Sequence, residues 1–99
     1  MTNEEKMQAI RPWINPEERV TVNFMDQTGL NAEVTDCNDE LVDLSLETRV
    51  PHVKQQISVA LRCMEISEDP LHYTRDPAQP LKHRRLMLII HDQRPPIVY

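Results

Sequence analysis

Between residues 20 and 46 the chain alternates apolar and polar side chains in three short stretches, and this limits its folding more than any other feature. Val20, Val22 and Phe24 interleave with Thr21, Asn23 and Met25; Leu30, Ala32 and Val34 with Asn31, Glu33 and Thr35; Val42, Leu44 and Leu46 with Asp43, Ser45 and Glu47. Successive side chains on a strand point to opposite faces, so a two-residue period gathers each apolar set on one face. Turn-type residues separate the stretches, Asp26-Gln27-Thr28-Gly29 and then Cys37-Asn38-Asp39-Glu40. A one-sided antiparallel meander must cover its apolar face, and a chain of 99 residues has little left over to do so. The expectation is a mainly β fold: a small antiparallel β-barrel of five to six strands, or a compact two-layer β-domain, with a short N-terminal helix.

The remaining elements follow from local signals. Thr2 and Glu5 have capping-box spacing and Met7 and Ile10 lie three apart, which predicts a helix over residues 3–10 that Pro12 stops. Trp13, between Pro12 and Pro16, reads as a plug on one end of the sheet, with a partner anchor as the alternative. Ile57, Val59, Leu61 and Cys63 alternate with Ser58, Ala60, Arg62 and Met64, predicting one strand over residues 56–65. Residues 67–80 carry three prolines and no period, the pattern of a long functional loop. Residues 86–91 are apolar on both faces, which suits a central covered strand or a subunit interface. The expected strands are therefore 19–25, 30–36, 41–47, 56–65 and 85–91, with Val22, Phe24, Val34, Leu44, Val59 and Leu61 in one core. The chain reads as a single domain over residues 1–99, with a helix and linker over 1–16 and a proline-extended tail over 92–99. Gly29 is the only glycine, so the first hairpin turn is expected to depend on it for a positive φ.

Composition narrows the function classes. The hydrophobic fraction is 39% with four aromatic residues, a modest aliphatic core that dimerisation would supplement. The net charge of −5 disfavours a non-specific grip on phosphate backbones, so nucleic acid is an unexpected partner. Residues 1–50 hold eleven acids against four Lys and Arg, and residues 51–99 hold five against seven. Two surfaces of opposite sign suit self-association, as a homodimer, or a charged protein partner. Cys37 and Cys63 are too few and too distant for a disulfide framework, no run approaches a membrane span, and the acidic start is unlike a secretory signal. These features point to the cytoplasm, with no membrane contact.

No motif supports catalysis or a cofactor. The four histidines and two cysteines lack the tight spacing of a structural zinc site, and a single glycine rules out a phosphate-cradling loop. Cys63 reads as a packing residue, and Asp36, Asp39, Glu40 and Asp43 form a solvated acidic hairpin tip. Lys82-His83-Arg84-Arg85 is the basic cluster, a gatekeeper before an apolar strand and a contact for an acidic surface. The candidate interaction residues are Trp13, Asp36, Asp39, Arg84, Arg85, Met87, Ile89 and Tyr99. The expected dimer buries Met87 and Ile89 and sets Arg84 and Arg85 against the acidic tip of the other subunit. The reading is a non-enzymatic interaction or regulatory module, an accessory protein acting through a protein partner.

Two families resemble parts of the chain. Val20-Thr21-Val22-Asn23-Phe24 followed by Asp26, and Asp39 through Val42-Asp43 to Leu46, resemble the first half of an Sm-like barrel. Asp43 stands where that family has a base-binding asparagine, and the second-strand glycine is absent. The longer span 20–90 is similar in strand order to a PilZ-like domain, which senses cyclic di-GMP. Arg11 and Arg19 depart from that family's arginine spacing, and Asp36-Cys37-Asn38-Asp39-Glu40-Leu41 keeps only its aspartate. The resemblances imply a small β-barrel, and as alternative functions a cyclic di-GMP sensor or an RNA-binding protein.

Overall fold

The structure, a computed structural model, describes residues 1–69 and 85–96. Helix α1 (Asn3–Ile10) starts at Thr2, whose hydroxyl accepts from the Glu5 N–H at 3.1 Å while the Glu5 carboxylate accepts from the Thr2 N–H at 3.2 Å. That reciprocal box satisfies two of the donors a helix start leaves open. The hydrogen bonds from Thr2 also hold the Glu5 carboxyl below its ordinary range. Pro12 ends α1 as expected, but the chain continues as a 3-10 turn (Arg11–Trp13).

Six strands follow: β1 (Val20–Asn23), β2 (Gly29–Cys37), β3 (Leu41–Glu47), β4 (Lys54–Ala60), β5 (Met64–Asp69) and β6 (Arg85–Ile90). They form one sheet in the order β4-β3-β2-β1-β6-β5. β1 to β4 are the antiparallel meander read from the sequence. Three features differ from expectation. β1 pairs with β6 in parallel, so the sheet is mixed rather than antiparallel. The hydrogen-bonded ladder is open from β4 to β5 and not closed into a barrel. The single strand expected over 56–65 is two strands, split by a 3-10 turn (Leu61–Cys63) that carries the chain from one edge of the sheet to the other.

That corner turn sets the shape. Five inter-strand spacings of a flat sheet put its edges about 24 Å apart, whereas the four steps from Ala60 to Met64 reach at most about 14 Å. The sheet must curl until its edges approach each other at this corner. α1 closes the same corner: it packs on the turn and on β2, and the Lys6 ammonium donates to the carbonyls of Leu61 and Met64, both at 2.8 Å. The concave face holds the core. Val22, Phe24, Val34, Leu44, Val59 and Leu61 are all buried, joined by Ile10, Met64, Leu88 and Ile90, with Met7 and Trp13 packed half-buried against them. The turn also shifts the inward register: Leu61 and Met64 are buried, whereas Cys63 is half-buried in the turn rather than in a strand. Cys37, expected in a turn, ends β2 and is buried, which pushes its thiol pKa up.

The hairpin turns solve their dihedral requirements without glycine. Gln27 has φ 66°, Gly29 has no positive φ, and the Gln27 N–H donates to the Phe24 carbonyl at 2.8 Å. The left-handed position therefore falls on Gln27, contrary to the expectation for Gly29. The Asp26 carboxylate accepts from the Thr28 N–H at 3.0 Å, which also holds its carboxyl below the usual range. Between β3 and β4, His52 takes φ 67° after Pro51, and the Thr48 hydroxyl donates to the Val53 carbonyl at 2.8 Å. At the β2–β3 tip, Asn38 Oδ1 accepts from the N–H groups of Glu40 and Leu41 at 2.8 Å each, a side chain standing in for a backbone turn.

Three stability predictions follow. Leu44 is 0% exposed on the inner face of β3, so Leu44→Ala is expected to cost about 2–5 kcal/mol by denaturant titration; an unchanged midpoint contradicts this core. A methyl on Gly29 meets only Thr21 Cγ2, at 3.9 Å. Gly29→Ala is therefore expected to stabilise by about 0.4–1 kcal/mol, and Gln27→Gly to relieve left-handed strain. A loss above about 1 kcal/mol for Gly29→Ala returns the requirement to the glycine.

Candidate interaction site at the strand edges

Backbone hydrogen bonding shows which groups each edge strand turns outward. The Leu61 N–H donates to the Glu40 carbonyl at 2.9 Å, bracketing the Leu41–Ala60 pair. In an antiparallel ladder this makes Leu41–Ala60 a non-hydrogen-bonded pair, and such pairs alternate with bonded ones. Ile57 and Val59 thus bond to β3, while Lys54, Gln56, Ser58 and Ala60 turn their N–H and C=O groups away from it. Nothing pairs with this side of β4 among the described residues. Lys54, Gln56 and Ser58 are exposed, and Ile57 packs half-buried against the core.

The edge at β5 differs. His91 N–H donates to the Cys63 carbonyl at 3.4 Å, which by the same rule turns the Met64 backbone outward. Its carbonyl is the one that Lys6 holds. A charged side chain placed on an edge is a device that blocks strand pairing. Among the described residues no backbone group of β4 is held in this way, while on β5 the Met64 carbonyl is.

A 540 Å³ pocket lies beside the corner turn, lined by Lys6, Arg62, Cys63, Glu65, His91 and Asp92 among others. Its chemistry does not assemble a nucleophile. Hydrogen bonding to the Asp92 carboxylate, and then burial, push the Cys63 thiol pKa up, the opposite of what an attacking thiolate needs. His91 Nε2 lies 3.3 Å from Glu65 Oε2 and is paired there. No group of three metal-ligating side chains comes together among the described residues. At the opposite end of the sheet, Leu30, Leu46, Arg49, Pro95 and Pro96 line a 360 Å³ pocket. Met25 N–H donates to the Gln93 carbonyl at 3.0 Å and ties the tail to this end.

The residues singled out from the sequence are scattered. Trp13 lies half-buried against the core. Asp36 and Asp39 are exposed on the β2–β3 hairpin, where a bulge at Thr35 brings Asp36 opposite Asp43. Asp43 accepts from the Ser58 hydroxyl. Met87 and Ile89 lie half-buried on the convex face of β6, whose alternate residues Leu86, Leu88 and Ile90 enter the core. β6 is hydrogen-bonded on both sides, so it offers a face and no edge. Arg85 Nη1 donates to Asn31 Oδ1 at 2.6 Å on that face. Arg84, Tyr99 and all but the first three residues of the loop expected over 67–80 lie outside the described residues. Arg11 donates to the Cys37 carbonyl at 2.8 Å, and Arg19 pairs with Glu47 at 3.0 Å, so both serve the fold. Lys6, Gln56 and Ser58 were not among the candidates, because their importance depends on which strands end at an edge.

Among the described residues no helix is long and apolar enough to cross a membrane. Comparisons with protein-family models, curated proteins and solved structures find no match.

The Cys63 environment gives a chemical prediction. Asp92→Asn removes the carboxylate whose hydrogen bond and charge favour the protonated thiol, so alkylation of Cys63 by iodoacetamide near pH 8 is expected to accelerate. An unchanged rate in a Cys37→Ser background contradicts this role for Asp92.

Proposed function

We propose that this protein is a non-enzymatic protein-interaction module, an accessory or regulatory component that receives an extended strand of a partner along β4. The observation that carries the reading is the open edge of β4, seven residues long, with its outward N–H and C=O groups unpaired among the described residues. An added strand gains main-chain hydrogen bonds there, and the alternating side chains supply specificity. The raised thiol of Cys63 and the paired His91 support a non-enzymatic role. Two free cysteines fit a reducing compartment, and we place the protein in the cytoplasm. The cyclic di-GMP and RNA readings draw less support, since Arg11, Arg19 and Asp43 are engaged within the fold.

Proline at Gln56 is the discriminating substitution. The Gln56 N–H faces outward, so its loss leaves the β3 ladder intact, and proline is tolerated at such positions. Gln56 Nε2 also donates to the buried Ser45 hydroxyl at 2.9 Å, a bond that proline removes, so affinity capture with wild type and Gln56→Pro is expected to show a partner retained by the first and lost by the second while both stay folded. Partners indifferent to the substitution contradict docking at this edge.

A further inference from the structure

We infer that the strand received by β4 is β4 of a second copy, paired antiparallel about a two-fold axis at Ile57. The inference rests on the edge-docking reading above and names its occupant. An antiparallel self-pairing must match outward-facing backbone groups with outward-facing ones. A dyad at Ile57 does so, setting Gln56 opposite Ser58 and Lys54 opposite Ala60 of the second copy, all four among the outward residues. Ile57 then meets its own symmetry mate as a non-hydrogen-bonded pair on the concave side. There two half-buried isoleucines extend the two cores into each other.

Charge and polarity agree with this register. No like charges face each other across it, and Gln56 and Ser58 are polar partners on the convex face. Ala60 is flanked on its own sheet by Leu41, a 42% exposed leucine adjoining the acidic tip residues Asp39 and Glu40. The second copy's Lys54 arrives beside Ala60, so its aliphatic stem covers Leu41 and its ammonium reaches that acidic tip. The two-fold repeats this contact at the other end. Continuing the sheet from β4 of one copy to β5 of another would generate a ring or an open filament. The Lys6 ammonium on the Met64 carbonyl stands in the way of that arrangement.

Sedimentation of the full chain is expected to give a dimer, and Gln56→Pro a folded monomer. Lys54→Glu is expected to weaken dimerisation roughly tenfold, since two rim contacts reverse at once. Directly opposed non-hydrogen-bonded residues have Cα atoms about 4.5 Å apart, within disulfide reach. In a Cys63→Ser background, Ile57→Cys is therefore expected to form a covalent dimer on mild oxidation. Gln55→Cys, opposite Val59 in this register, is expected not to. These two variants decide the matter if Gln56→Pro fails to fold. A wild-type monomer at high micromolar concentration, a ring, or cross-linking through position 55 instead of 57 overturns the inference. A monomer whose partner capture is still lost on Gln56→Pro overturns the second copy as occupant and leaves edge docking standing. Capture indifferent to Gln56→Pro removes both.

Discussion

Three residues, Leu61 to Cys63, join the two outermost strands of a six-stranded sheet, and the rest of the molecule follows from that short link. A flat sheet cannot satisfy it, so the strands wrap around one aliphatic core with few aromatic residues to fill it. The bend leaves carbonyl groups at the corner without strand partners. Lys6 answers two of them from a helix that the N-terminal capping box has already positioned. Ile10 enters the core and Arg11 ties the end of β2 from the same segment. The helix thus works as a clasp on the curled sheet.

The clasp makes the two edges unequal. One lysine placed by α1 occupies the start of β5, while the β4 edge is polar with a single charge, Lys54, at its start. Natural sheets blunt edges with charge, proline or bulges. Here the bulge lies in β2 and the nearby proline lies in the β3–β4 turn, so neither protects β4. Among the described residues one edge is held at a carbonyl and the other at none, and that asymmetry underlies the functional reading.

Much of the fold was legible because period-two patterning is a local signal. β3 lies where the alternation placed it, β2 is one residue longer at each end, and the core residues read from the pattern are buried. The break at Leu61 to Cys63 was not legible: no glycine or proline marks it, and the alternation runs through it without a flaw. Only the turn's change of register, from Leu61 to Met64 inward, reveals two strands. Gln27 shows a related limit, since a left-handed residue was sought at the lone glycine and the backbone placed it two residues earlier. The site was less legible than the fold. Met87 and Ile89 stood out because β6 is apolar on both faces, but pairing order makes β6 internal and leaves the plainer Gln56 and Ser58 at the open edge. Strand order is a long-range property that alternation does not encode.

The parallel contact between β1 and β6 carries a kinetic consequence. β1 to β4 can assemble from successive hairpins, each closing a short loop. Thr21 meets Met87 only after more than sixty intervening residues have been gathered. Loop-closure entropy must be met before that contact contributes anything, so pairing of this kind comes late and slowly. Until then the apolar faces of β1 and β6 stand uncovered, and the nascent chain is most exposed to association through the strands that finally lie at its centre.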